Sequence, residues 1–198
     1  MEKPENDFDL LERFAGGDED AFAAVLARWE KPLFNFICRI IQERTEAEDI
    51  EQEVFLKLAA AAGGLKRQAR FSNYLYRIAY NLCIDRLRRR AARGNAGSPE
   101  SLEGIMETEE GEDLRRQIPD PADLPADLLR ERQDIARAVN AALGNLPDNQ
   151  RAALILKVYE DRSYSEIAEI LDVTIPSVES LLFRARQNLK TSLKFPGK

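Results

Sequence analysis

Apolar residues recur along this chain at helical spacing, and no stretch shows the alternation of a strand. Phe22, Val25, Leu26, Trp29 and Leu33 fall at i, i+3, i+4, i+7 and i+11, and Ile37, Ile40 and Ile41 extend that face. Pro32 interrupts the run, so a kink or break is expected there: proline lacks a backbone donor and crowds the preceding turn. Ile50, Val54, Phe55 and Leu58 form a second stripe, closed by Gly63-Gly64. A loop runs to Arg70. Ser72 is the expected N-cap of the next helix, whose stripe is Leu75, Ile78, Ala79 and Leu82.

The same period returns later. Ile135, Val139, Ala142 and Leu143 make one stripe, and Leu146-Pro147 opens a further helix carrying Leu154, Ile155 and Val158. Ser163-Tyr164-Ser165-Glu166 fits the capping-box pattern ahead of the short helix Ile167–Leu171. Asp172-Val173-Thr174 makes a tight turn, and the last helix carries Val178, Leu181, Leu182, Ala185 and Leu189. The expected fold class is all-α.

Composition divides the chain. Residues 94–127 hold ten acidic and two basic side chains, net −8, with Gly94, Gly97, Pro99, Gly104, Gly111, Pro119, Pro121 and Pro125 among them. So polar a segment buries too little apolar surface to offset the entropy of ordering it. Two small helical domains are therefore expected, at 8–92 and 130–196, joined by a flexible acidic linker over 93–129. The net charge of −6 alone would argue against a nucleic-acid partner. Residues 1–93 carry 16 acids and 16 bases, and 128–198 carry 9 acids and 11 bases, so the acidity belongs to the linker.

Chemistry is narrowed further by what is missing. The chain has no histidine, which removes the commonest general base and metal ligand. Its two cysteines, Cys38 and Cys83, sit within apolar helical patterns and read as core residues, with a redox pair as the alternative. No nucleophile–base pair, metal cluster or phosphate loop is found, so neither an enzyme nor a cofactor is expected. The N-terminus lacks a basic and apolar leader, and no apolar run reaches the roughly 18 residues of a membrane span. The expected location is the cytoplasm, without membrane insertion.

Three constellations carry function. The capped short helix, three-residue turn and longer amphipathic helix form a helix-turn-helix, whose second helix enters a DNA major groove. With Val178 at the centre of the buried face, Ser177, Ser180, Arg184 and Gln187 point outward; a solvated helical hairpin is the plainer alternative. Next, Lys66, Arg67, Arg70, Arg77, Arg86, Arg88, Arg89, Arg90 and Arg93 surround a single acid, Asp85, with Phe71, Tyr74, Tyr76 and Tyr80 interleaved. Tyr74, Arg77, Asn81, Asp85 and Arg88 share one arc of a helix. Cations plus aromatic faces suit a single strand, although a solvated helix end over core tyrosines fits the same pattern. Third, Glu46 to Leu58 is amphipathic with an acidic outer face, either solvated or docked on a basic partner.

Glu46 to Leu58 resembles the AED-x-x-QE-x-F-L-x-L block in region 2 of extracytoplasmic-function sigma factors. Phe71 to Arg90 looks like the block that follows it. Leu146-Pro147-Asp148-Asn149-Gln150-Arg151 is similar to the LP-x-x-x-R opening of region 4, and Ser163–Leu171 with Leu182–Arg186 to its helix-turn-helix. Four motifs in the family's order span nearly all the chain outside the linker.

The resemblance implies a factor that directs promoter-specific initiation. Asp49, Gln52, Glu53, Phe55 and Leu56 would contact the β′ clamp helices of core RNA polymerase. Lys66, Arg67, Arg70, Phe71, Tyr74, Arg77, Asn81, Arg88 and Arg89 would capture the melted −10 element as a single strand. Ser177, Glu179, Ser180, Arg184, Arg186 and Gln187 would read the −35 element as duplex, with region 4 also touching the β flap. An anti-sigma factor is a further implied partner. This sequence departs from the family at Tyr74, where tryptophan is frequent, and at Pro176, Glu179 and Leu181 in the recognition helix. A dimeric helix-turn-helix regulator and a protein-interaction module are the competing readings.

Overall fold

The structure, a computed structural model, describes residues 5–65, 70–94 and 126–193. Among them are eight α-helices and no strand. Four form an N-terminal unit: α1 (Asp7–Ala15), α2 (Glu19–Ile41), α3 (Arg44–Ala61) and α4 (Phe71–Ala92), with a 3-10 turn at Ala62–Gly64. Four form a C-terminal unit: α5 (Ala126–Gly144), α6 (Asp148–Val158), α7 (Tyr164–Leu171) and α8 (Ile175–Ser192). Most of the expected linker, Lys66, Arg67 and residues 194–196 lie outside the described residues. The linker's last four positions, 126–129, belong instead to α5. No glycine or proline stands between Pro125 and Gly144, so nothing stops the helix from reaching back that far.

Caps fix where the first helices begin. The Asn6 side chain accepts from Phe8 N at 3.1 Å, and Asp18 from Ala21 N at 3.3 Å. Pro32 does not end α2, which continues as one helix to Ile41. A proline in a helix interior costs about 3 kcal/mol. Leu33, Phe36, Ile37 and Ile40 are fully buried just beyond it, and each gains roughly 1.5–3 kcal/mol by burial. Packing therefore outweighs the lost bond.

Ser72 is not the N-cap of α4. The helix starts one residue earlier, Arg70 holds the cap position without a side-chain bond, and Ser72 Oγ accepts from Arg162 Nη1 at 2.9 Å. A partner from the other unit has taken the hydroxyl that the sequence pattern assigned to the local backbone.

The units share one continuous apolar core. α4 packs against α7, and α2 against α5 and α6. The approach is close at Gly144, at the end of α5: a Cβ there would lie 2.3 Å from Gln42 Oε1, so a larger residue would displace the Gln42 amide. Gln42 caps α2 in the left-handed region at φ 58°, and its Nε2 donates to Asn140 O at 2.8 Å. Arg151 lies 6% exposed between the units. It donates to Leu143 O, Gly144 O and Leu146 O, each at 3.0 Å, and to Ile40 O across the boundary. Three of those carbonyls belong to the end of α5 and its exit, where backbone acceptors lack helical partners. No described helix is long and apolar enough to cross a membrane.

Candidate nucleic-acid interface

α3 is started by Glu43, whose carboxylate accepts from Thr45 N at 2.8 Å and Glu46 N at 2.6 Å. Ala47, Ile50, Val54 and Leu58 point into the core. Asp49, Gln52 and Leu56 are exposed, with Glu53 half-buried beside them. Leu56 is 71% exposed, a large apolar side chain on an otherwise acidic face. Phe55 is the exception among the residues expected to meet a partner: it is 8% exposed and belongs to the core. The stripe rule had already placed it there. One Glu51 oxygen is buried with no hydrogen-bond partner among the described residues. Burial, with Glu30 and Glu48 nearby, pushes that carboxyl up to about 7.

On α4 the expected outer arc is observed. Arg77, Asn81, Asp85, Arg88 and Arg89 are exposed and Tyr74 is half-buried. The Arg77 guanidinium lies 5.9 Å from the Tyr74 ring centre, a cation beside an aromatic face. Asp85 takes no ion-pair partner among the described residues. Two arginines of the cluster are held elsewhere: Arg86 and Arg90 reach Glu46 at 3.8 and 3.3 Å. Phe71 does not face solvent. It is 4% exposed, edge-on to Phe8 at 5.8 Å and tilted against Trp29 at 5.7 Å. At the first position of α4 the ring packs inward on α1 and α2, which supply Phe8 and Trp29.

A second face of α4 meets the C-terminal unit. Arg70 Nη1 donates to Glu166 Oε1 at 2.7 Å, and Asn73 Nδ2 to Glu169 Oε2 at 2.8 Å. Tyr76 Oη donates to Glu160, and Tyr80 Oη to Asn149 Oδ1 at 2.8 Å. Arg162 stacks over Tyr76 at 4.9 Å, and Arg39 over Tyr159 at 4.1 Å. Burial raises the Glu160 carboxyl and drives the Tyr76 hydroxyl far above its ordinary value. Sequence spacing gave no sign of this face. The partners lie 69 to 96 residues away, and the periodicity marks only that Asn73, Tyr76 and Tyr80 share a side.

The helix-turn-helix forms as its pattern requires. Ser163 Oγ accepts from Glu166 N at 3.3 Å, while Glu166 Oε2 accepts from Ser163 N at 2.9 Å, a complete capping box. Asp172 ends α7 in the left-handed region at φ 54°, and Thr174 caps α8 by accepting from Ser177 N at 3.4 Å. The turn pattern Asp172-Val173-Thr174 alone gives no sign of this cap. Pro176 lies in the first turn of α8, where its missing N–H has no helical partner to lose. Val178, Leu182 and Ala185 are buried. Glu179, Ser180, Arg184, Arg186 and Gln187 are exposed, and Ser177 is half-buried with its hydroxyl 2.8 Å from Thr174 Oγ1. An open cleft at the head of α8 is lined by Asn149, Pro176, Ser180, Leu181 and Arg184.

Known proteins align with this arrangement over its whole length. Residues 25–93 match the description Sigma-70 region 2, and residues 136–189 match Sigma-70, region 4. The RNA polymerase sigma-H factor of Pseudomonas aeruginosa is 31% identical over 96% of this chain and 95% of its own. The ECF RNA polymerase sigma factor SigW of Bacillus subtilis is 30% identical over 90% and 91%. Among solved structures, CnrH in complex with the cytosolic domain of CnrY superposes with a TM-score of 0.66, covering 98% of this chain and all of that one at 22% identity. The sigma factor RpoE with the anti-sigma factor NepR from Bartonella quintana gives 0.64 at the same identity, over 89% and 98%. These two likenesses concern the fold.

Proposed function

The chain belongs to the extracytoplasmic-function sigma factors of RNA polymerase, and from that premise we propose how its surfaces divide the work of starting transcription. The exposed side of α3, with Leu56 at its centre and Asp49, Gln52 and Glu53 around it, docks on the clamp helices of the polymerase β′ subunit. An apolar side chain ringed by polar ones is the usual make-up of a protein contact. The arc Tyr74, Arg77, Asn81, Arg88 and Arg89 on α4 holds the opened −10 strand: arginines meet phosphates, and the tyrosine stacks on an unpaired base. Helix α8 enters the major groove at −35, where Arg184 and Gln187 carry groups suited to base edges and Ser180 can reach a phosphate.

One observation carries this reading. A single chain presents two differently built exposed faces, an aromatic and cationic arc on α4 and the outer side of α8 in a capped helix-turn-helix, each of a make-up suited to nucleic acid. Each binds weakly alone, and joint attachment to one polymerase raises the effective concentration of the second once the first is engaged. The structural relatives include a sigma factor bound to its anti-sigma factor, and a partner of that kind is proposed here also.

The test is transcription in vitro from genomic fragments, using core polymerase with and without the purified chain. Promoter-specific starts should appear only when the chain is present. Arg184→Ala should lower output from templates that carry a −35 element by about tenfold, the value of one good base contact. Starts no different from those of core alone would sink the reading, and an Arg184→Ala chain equal to wild type would remove α8 from it.

A further inference from the structure

We propose that Glu179 gives helix α8 a preference for cytosine, and so sets one base of the −35 element that this chain selects. The inference rests on the assignment of α8 to duplex DNA above, and names what that helix recognises.

Several features set Glu179 apart. It is the one acid in Ile175–Ser192, against the bases Arg184, Arg186 and Lys190. It is exposed, and no hydrogen bond or ion pair reaches its carboxylate among the described residues. The positions that could pair with it along the helix are three and four residues away on either side. They hold Ile175, Pro176, Leu182 and Phe183, none of them a cation. Nor does the helix dipole account for it. An acid is favoured within the first turn of a helix. α8 has none there, and Glu179 comes after it. In a helix-turn-helix the N-terminal part of the second helix meets base edges, and Glu179 stands in that part.

What a carboxylate can meet in a major groove is limited. It only accepts hydrogen bonds, and so finds no partner in a phosphate. Guanine presents O6 and N7, and thymine O4 and a methyl group, none of which donates. Adenine donates from N6 but sets the acceptor N7 beside it, against the second carboxylate oxygen. Cytosine donates from N4 with no acceptor next to it. Of the four bases, cytosine alone suits Glu179.

The head of α8 agrees with this. Anions gather at helix N-termini through free N–H groups. Here Pro176 has no N–H, and Ser177 N is taken by Thr174 Oγ1 at 3.4 Å. A phosphate is held weakly at such a head, so the DNA backbone is not drawn toward the carboxylate. Arg184 acts apart from Glu179. It follows by five residues, which at about 100° each sets the two side chains roughly 140° apart round the helix. Ser180 and Arg184 border the cleft at the head of α8, and Glu179 lies on the other flank. A change at Glu179 therefore alters one base position and leaves the one at Arg184.

The test is initiation by the full chain with core polymerase on a promoter library randomised across the −35 element, with the transcribed templates sequenced. The wild-type chain should enrich cytosine about tenfold at one position, the value of one good base contact. Glu179→Ala should flatten that position and keep the others. Glu179→Lys should turn it to guanine on the same strand, since an ammonium donates to O6 and N7. Glu179→Gln should turn it to adenine, which an amide reads through N6 and N7. The positions that stay unchanged report that α8 is intact in each variant. Variant profiles identical to the wild-type one overturn the proposal. So does a uniform rise in output over all sequences with no change of preference, the mark of an acid that only repels phosphates. A wild-type chain that enriches some −35 sequence but no cytosine overturns this proposal alone. One that enriches nothing at −35 removes α8 from the proposed function, and this proposal with it.

Discussion

At the scale of single residues, burial decides more than side-chain type. Arg86 and Arg90 belong to the basic cluster by sequence but are tied to Glu46. Arg77, Arg88 and Arg89 remain exposed. Glu51 shows the same rule with a pH consequence. Its carboxyl rises from an ordinary value of 4.5 to about 7, chiefly through burial. Below pH 4.5 the group is neutral in both folded and unfolded chains and costs nothing. Between 4.5 and 7 the unfolded chain ionises first, so unfolding releases a proton and stability falls as pH rises. Above 7 the penalty is complete. Glu51→Gln should therefore raise the melting temperature at pH 8 and leave it unchanged at pH 4. Thermal unfolding at the two pH values checks this, and an equal shift at both would exclude ionisation as the cause.

At the scale of elements, periodicity and caps located most helices. The stripes around Val25, Val54 and Leu75, and the box at Ser163, correspond to α2, α3, α4 and α7. What sequence hid were ends decided by distant residues. Ser72 reads as a cap until Arg162 claims its hydroxyl, and Pro32 reads as a break until the core around Phe36 holds the helix through it. The functional faces divided the same way. Exposed arcs on α4 and α8 follow from angular spacing, whereas the burial of Phe55 and Phe71 depends on what packs over them.

Helix α7 gives this scale its prediction. It has only eight residues, too few to persist without its cap and its packing. Ser163→Ala removes an acceptor for Glu166 N and should cost about 1 kcal/mol. Ser163→Thr should restore most of it. Urea unfolding followed by circular dichroism measures both, and an alanine variant as stable as wild type would mean that Glu166 alone holds this end. The same Ser163→Ala chain should bind −35 duplex more weakly, because α7 supports the head of α8.

At the scale of the molecule, the expectation of two domains on a tether captured the division but not the contact. The apolar core runs across the boundary, and Arg151 is its polar centre. The family motif that places this residue after Leu146-Pro147 says nothing of α2, whose last turn supplies Ile40 O. A guanidinium with burial lowering its affinity for the proton stays charged through the four carbonyls around it and Asp148 at 3.4 Å. Replacing it by methionine keeps the volume but leaves those acceptors without a donor, at a cost on the order of 3 kcal/mol. The consequence extends beyond stability to cooperativity. Trp29 is the chain's one tryptophan and reports on the N-terminal unit alone, while circular dichroism reports helices in both. In the native chain the two signals should lose their structure at one denaturant midpoint, as expected when two units share a core. In Arg151→Met the dichroism transition should broaden and begin before the Trp29 transition, because the C-terminal unit loses its link to α2. Separate midpoints in the unmutated chain would show that the shared core does not couple the two units.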